Sequence, residues 1–358
     1  MPIINRKFIV LLAIGLIGLL QTIKAQEKTT VNGTVKDKLS GESIMGAVIK
    51  IDQLASIVIT SNEYGFFAIS LPKGKYDQRI SYVGYEEKRI PIDLNESMSI
   101  PVFLEGKNQL ADVVVESKRK DDNLIKAQMG TETLNMKSIS RVPVLFGEKD
   151  VLKTIQLLPG VKSAGEGNSG FYVRGGASDQ NLILLDEAPV YNASHLLGFF
   201  STFNSDAIKD ATLIKGNGPA QYGGRLSSVL DVKMKEGNNK NYIVNGGLGL
   251  ISSRLSIEGP IQEDKSSFIL SGRRTYADVF LKATDKFKDN ILYFYDFNAK
   301  ANYKIDDKNR IYFSGYFGRD ELGLGTSFGI NWGNKTGTIR WNRIISNKLF
   351  LNLSLIHI

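Results

Sequence analysis

From Lys240 onward the chain alternates polar and apolar side chains with a period of two. Phe297, Ala299, Ala301 and Tyr303 fall between Asp296, Asn298, Lys300, Asn302 and Lys304. Ile311, Phe313, Gly315 and Phe317 share one phase, while Tyr312, Ser314 and Tyr316 hold the other. Leu349, Leu351, Leu353 and Leu355 alternate with Asn352 and Ser354. Successive side chains of a strand point to opposite faces, so each segment has one apolar and one polar face. A soluble sandwich accepts such strands with the apolar face inward. A membrane barrel accepts them with the apolar face in lipid and the polar face in its lumen. Alternation alone does not choose between the two.

The phase fixes the strand boundaries. Val244, Gly246, Leu248 and Leu250 are in one phase and Leu255 and Ile257 in the other. One strand cannot change phase without a bulge or turn, so a tight hairpin is expected near 251–253. Strands are then expected at 242–250, 254–260, 267–276, 295–305, 310–320, 336–345 and 349–358. Their connections alternate: 261–266, 306–309 and 346–348 are short, whereas 277–294 and 321–335 are long. Bacterial barrels place short turns on the periplasmic side and long loops outside.

The other end of the chain carries an address. Arg6 and Lys7 precede an apolar run from Phe8 to Leu20, and the sequence turns polar before Ala25. That run is shorter than the roughly 20 residues a spanning helix needs. Residues 1–25 read as a cleaved secretory signal, with an uncleaved anchor as the alternative. The chain has no cysteine, so neither a disulfide framework nor lipid attachment through Cys is open to it.

Between 170 and 235 an Arg174-Gly175 pair follows the short strand Phe171 to Val173. An apolar strand then ends in Leu185-Asp186. The strand Ala211 to Lys215 runs into Gly216, and the stretch closes on Tyr222-Gly223-Gly224-Arg225. This order of strands and glycine turns resembles the plug domain of TonB-dependent outer-membrane receptors, in which the matching pieces read Arg-Gly, Leu-Asp-Gly-x-Pro and Tyr-Gly-Gly. Glu187 stands where that family usually has Gly, so the turn is expected to avoid a positive φ. The resemblance implies that Arg174 sits between plug and wall, where bonds to carboxylates fix the closed state. The alternative is an ordinary surface Arg. Within this region Val151, Leu152, Ile155 and Leu158 mark one helical face, with Asp150 as N-cap and Pro159-Gly160 as the stop.

Residues 27–105 show seven short strand-like segments, at 30–35, 46–51, 57–60, 66–70, 76–83, 87–92 and 98–104. Turn signals at Lys38 to Gly41, Asn62 to Gly65 and Pro72 to Gly74 separate them, which argues for a small β-sandwich. The runs from Val31 to Ile51, Ser61 to Tyr76 and Ile80 to Glu87 resemble the carboxypeptidase regulatory-like module that precedes the plug in receptors of Bacteroidota. No His lies in it, so it is read as a non-catalytic periplasmic spacer or docking unit. Residues 106–124 form a linker. Its run from Leu110 to Glu116 resembles the TonB box, so Asp112, Val113, Val114 and Val115 are expected to add a strand to TonB's sheet. The same residues could instead form the last strand of the sandwich.

Other classes find little support. The net charge of +8 is spread along the 358 residues without a basic stripe, which speaks against nucleic acid. His195 and His357 are the only histidines, so no His-based metal site or triad is indicated; His195 reads as a satisfied structural residue. Gly216-x-Gly218 lacks the third glycine and the following helix of a dinucleotide loop. The expected fold is all-β modules plus an α+β plug: an N-terminal sandwich, a plug over 125–236, and over 240–358 the first strands of a barrel. The resemblance implies about 22 strands in all, so the chain is expected to stop mid-barrel. It further implies a non-enzymatic active transporter in the cell outer membrane with its N-terminal module in the periplasm, and no cofactor. The substrate would be an iron chelate, vitamin, glycan or peptide. Its partners would be the TonB complex, outer-membrane lipid and a surface substrate-binding lipoprotein. The rival is an adhesion or structural β-protein, which has no use for Val113 to Val115.

Overall fold

A computed structural model of the chain describes residues 28–107, 130–136, 149–165, 169–216, 218–325 and 327–358. The signal segment 1–25 and the coupling residues Asp112 to Val115 lie outside the described residues.

The N-terminal domain contains β1 (Lys28–Asp37), β2 (Val48–Ile51), β3 (Leu54–Thr60), β4 (Phe66–Pro72), β5 (Gly74–Ser81), β6 (Lys88–Leu94), β7 (Met98–Ser99) and β8 (Val102–Leu104). One sheet runs β4-β1-β7 with β8 also on β1, the other β3-β2-β5-β6. Val31, Val35, Ile49, Leu71, Ile80, Leu94 and Val102 close the core between them without solvent exposure. The expected single strand over 98–104 is split in two, because Pro101 has no N–H to continue a ladder. At the split the carbonyl of Ile100 comes within 2.0 Å of where a Cβ on Gly33 would stand, so β1 tolerates only glycine there.

The central domain follows: β9 (Thr131–Asn135), α1 (Val151–Ile155), β10 (Val161–Ser163), β11 (Phe171–Val173), β12 (Asn181–Leu185), β13 (Ala188–Pro189), β14 (Ser194–His195), β15 (Phe200–Ser201), β16 (Ile208–Lys215) and β17 (Ser228–Met234). Five of these strands form a mixed sheet in the order β13-β12-β17-β16-β9, with β12 and β17 parallel. The buried face of α1, Val151, Leu152 and Ile155, packs against Leu185, Leu213, Leu230 and Val232 of that sheet. Asp150 caps α1 as expected, its carboxylate accepting from Lys153 N at 3.0 Å. Its second oxygen accepts from Ser201 N at 2.9 Å and ties the helix start to β15.

The C-terminal region is one open antiparallel sheet of seven strands in chain order. They are β18 (Ile243–Leu248), β19 (Ser252–Gln262), β20 (Ser266–Thr275), β21 (Ile291–Lys304), β22 (Asn309–Leu324), β23 (Phe328–Ser346) and β24 (Leu349–His357); a short helix α2 (Ala277–Lys282) lies between β20 and β21. The hairpin expected near 251–253 pairs Leu248 with Ser253. One expectation fails. Residues 321–335 are not a long loop; β22 and β23 continue past it and pair from Glu321↔Asn331 to Leu324↔Phe328. Glycines at 323, 325, 329 and 333 suggest a loop, but ladder hydrogen bonds need no side chain.

The sheet is inside out by the standard of a soluble core. Asp296, Asn298, Lys300, Asn302, Asp320, Thr338 and Arg340 are buried against the central domain. Phe297, Phe313, Ile339, Leu353 and Leu355 face away and are exposed. On β23 the outward face is uncharged between Lys335 and Arg343. Eight residues at about 3.4 Å each cover about 27 Å along the strand. At a tilt of about 40° that is roughly 21 Å of height, near the ~25 Å apolar band of an outer-membrane barrel. Among the described residues no helix is long and apolar enough to cross a membrane; the strands are the spanning candidates.

Candidate functional site

The central domain meets the wall through buried charge. β12 and β13 are joined by a two-residue turn with Leu185 opposite Ala188. Such tight hairpins favour type I′ and II′ turns, and in type I′ both central residues have positive φ. Asp186 has φ 46° and Glu187 φ 75°, which overturns the expectation that Glu187 would avoid that region. The turn geometry set by the ladder wins over the side chain's preference, and tertiary partners hold the strained residues.

The charged partners come from the C-terminal sheet, the wall. Asp186 is 1% exposed; its carboxylate accepts from Met234 N at 3.0 Å and pairs with Lys300 Nζ at 2.9 Å. Its carbonyl accepts from Thr338 Oγ1 and Arg340 Nη2, both at 3.3 Å. Burial alone pushes this carboxyl up, but the charges of Lys300 and Arg340 outweigh it and hold Asp186 below the usual carboxylate range. Glu187 behaves likewise. Burial opposes its ionisation, yet Arg340, 3.1 Å away, together with the hydroxyls of Ser354 and Tyr64 draws it below its ordinary value.

A second junction lies at the turn after β14. His195 is 1% exposed. Its Nδ1 is 2.7 Å from Asp320 Oδ2, and its Nε2 is 3.4 Å from Asp296 Oδ2 and 3.2 Å from the Tyr316 hydroxyl. The ring stacks on Phe294 at 4.1 Å between centroids. Arg273 completes the group, donating to Asp296 at 2.6 and 2.9 Å and to the Ser201 carbonyl at 2.8 Å. Burial lowers the affinity of the imidazole for a proton, but the two carboxylates prevail and raise it above the ordinary histidine value. The structural reading of His195 fits this satisfied environment, and its partners are two wall strands. Beyond it Leu196 (φ 47°) and Leu197 (φ 58°) are strained, with Leu196 N donating to Asp320 Oδ1 at 2.7 Å. Leu197, Phe199 and Tyr191 are left exposed beside them. Strain of this kind costs on the order of 1–3 kcal/mol per residue and persists only where surroundings impose it.

Of the plug-motif residues singled out from sequence, Asp186 alone is at the wall. Arg174 has φ 48° and is exposed; its guanidinium lies against Gly130 and Gly216, where a Cβ would stand 3.3 and 3.1 Å from its nitrogens. Among the described residues no carboxylate pairs with it. Gly175, Gly216 and Gly224 all have positive φ, which explains their identity, whereas Gly223 does not and faces open space. Tyr222 donates to Asp231 Oδ2 at 3.3 Å and packs on the small cluster Leu184, Ile214 and Val229. Sequence reading missed Glu187, Lys300, Arg340, Asp296, Asp320 and Arg273 as site residues. For the five strand residues the signal available was their place on the polar face of alternating strands, since a charge on a sheet face covered by another domain needs a partner. Among the described residues no group of acidic or histidine side chains has the geometry to hold a metal ion.

Residues 31–115 match the CarboxypepD_reg-like domain and residues 145–228 the TonB-dependent Receptor Plug Domain. The first match extends across Val113 to Val115, the segment read either as a coupling strand or as the last sandwich strand. Solved structures that resemble the chain include the siderophore receptor PirA from Acinetobacter baumannii, 16% identical over 62% of this chain and 38% of that one, with a TM-score of 0.46. The outer membrane transporter YddB from Escherichia coli is 13% identical over 60% of this chain and 36% of its own, with a TM-score of 0.42. The chain thus spans under two fifths of the length of these structures. No curated protein matches it.

Proposed function

We propose that this chain, which joins a carboxypeptidase regulatory-like domain to a TonB-dependent receptor plug domain, belongs to an energised transporter of the outer membrane. The observation that carries the reading is the inverted sheet. Its apolar face points away from the protein over a height suited to a lipid band, while its polar face is consumed by ion pairs to the plug. A wall whose lumen is filled by a tethered domain is shut at rest. Transport then requires work on the plug, because each buried pair must be separated or moved.

The linker between the described residues Lys107 and Gly130 is the natural point of attack. It contains Asp112 to Val115, which we assign as the strand offered to TonB. Arg174 is assigned to the plug's own loop packing, beside Gly130 where the linker enters. The chemistry of the cargo stays at the level of a scarce solute, an iron chelate, vitamin, glycan or peptide. Contacts to it fall to the exposed end of the plug around Tyr191, Leu197 and Phe199.

Density-gradient fractionation of the cells that produce the protein tests the membrane assignment. The expected result is recovery with the outer membrane, resistant to alkaline extraction. Recovery of the chain in the soluble periplasmic fraction would contradict it.

A further inference from the structure

We infer that the N-terminal domain is a latch that holds the plug shut from the periplasmic side, and that its release precedes movement of the plug. This rests on the transporter reading above and adds a function for a domain otherwise taken as a spacer.

The contact is centred on one turn. Between β3 and β4, Asn62-Glu63-Tyr64-Gly65 reaches into the mouth of the wall. The Tyr64 hydroxyl donates to Glu187 Oε1 at 2.7 Å, and its ring stacks on Phe350 at 5.4 Å and lies 5.4 Å from the Arg340 guanidinium. Phe66 stacks on the same Phe350 at 5.4 Å. Glu63 pairs with Lys233 of the plug at 3.0 Å.

Glu187 therefore serves three bodies at once. It belongs to the plug, accepts from Tyr64 of the N-terminal domain, and is bound by Arg340, Asn352 and Ser354 of the wall. It is also held at φ 75°, where glycine would sit without strain. A strained glutamate in a glycine position is disfavoured locally, so its surroundings must compensate. The compensation seen is the clamp between Tyr64 and the wall. Contacts around the rim extend the seal: Asn32 donates to Asn347 Oδ1 at 3.1 Å, Asn239 N to the Ser40 carbonyl at 3.0 Å, and Lys209 to the Ser43 carbonyl.

The topology makes the latch releasable. The linker leaves the N-terminal domain at Lys107 and enters the plug at Gly130, so tension on it loads both attachments. The N-terminal domain is bound at the rim through one inserted turn and hydrogen bonds along its edge, most of them to backbone atoms. The plug is held by buried pairs on several wall strands. The weaker attachment yields first.

Hydrogen exchange on the protein purified from the outer membrane tests this without any energised partner. Tyr64→Ala should raise exchange at residues 185–189 of the plug by at least about tenfold, with exchange in β1, β2 and β5 unchanged. Tyr64→Phe, which keeps the stacked ring, should give a smaller rise. Glu187→Gly should relieve the turn yet release the N-terminal domain. With no native cysteine, and with Lys240 Nζ donating to the Lys38 carbonyl at 2.8 Å across the accessible rim, a short bis-maleimide should join Lys38→Cys to Lys240→Cys in the parent, and this bridge should be lost in the Glu187→Gly background. Parent-like exchange at 185–189 in Tyr64→Ala, or bridging undiminished by Glu187→Gly, overturns the latch. Should Tyr64→Ala unfold the sandwich, Tyr64→Phe and Glu187→Gly decide the question alone. Failure of TonB to bind the linker would sink the transporter reading and leave these readouts untouched.

Discussion

At the residue scale the plug is governed by buried charges whose cost is offset by specific partners. Removing one member of such a pair leaves the other uncompensated and costs roughly 3–5 kcal/mol, whereas replacing both by apolar residues is often neutral. Asp186→Asn should therefore loosen the plug strongly by leaving Lys300 stranded. Asp186→Leu with Lys300→Met should recover most of the loss, and denaturant unfolding of the plug reads the difference. Asp210 is the counter-case. It is 4% exposed, one of its oxygens lacks a hydrogen-bond partner, and burial pushes its carboxyl up to about 6. Its folded value lies above the ordinary 3.8, so the folded state binds the proton more tightly and gains stability as pH falls from about 6 towards 3.8. Above about 6 the charge is a penalty. Asp210→Asn should thus stabilise the plug at pH 7.5, on the order of 2–3 kcal/mol, and the gain should vanish near pH 4. Equal effects at both pH values would contradict this account of Asp210.

At the scale of elements, most strands were legible because alternation is a local signal. The phase break at 251–253, the order of the wall strands and the cap at Asp150 could all be read from neighbouring residues. What sequence hid were outcomes decided at a distance. Glu187 keeps the positive φ its two-residue turn demands because Tyr64 and Arg340, 123 and 153 residues away, hold it there, and nothing local announces those partners. His195 meets Asp296 and Asp320 only through the register of β21 and β22. The extension of β22 and β23 was masked by glycines that break propensity without breaking a ladder. The outward face of these strands allows a direct check. Ile339, midway between Lys335 and Arg343, should lose about 2–4 kcal/mol of folding free energy in a bilayer on Ile339→Arg. Asn331→Arg, in the same outward phase but beyond the band, should lose about 0–1 kcal/mol. Reversible folding into lipid vesicles measures both; equal costs at the two depths would mean the apolar face does not meet lipid.

At the scale of the whole molecule, three bodies share one seam. The wall supplies Lys300, Arg340, Asp296 and Asp320, the plug supplies Asp186, Glu187 and His195, and the N-terminal domain adds Tyr64 from below. On the proposed reading, such an arrangement stores a closed state that an external pull would open. The most direct test is binding of the periplasmic domain of TonB to the native protein and to variants at Val114. Proline at that position removes a ladder donor and fixes φ near −65°, so Val114→Pro should weaken binding by at least about tenfold. Val114→Ala keeps the N–H and should bind within a few-fold of the parent. If Val114→Pro binds TonB as tightly as the parent, the segment is not the coupling strand and the energised-transport account loses its point of attachment.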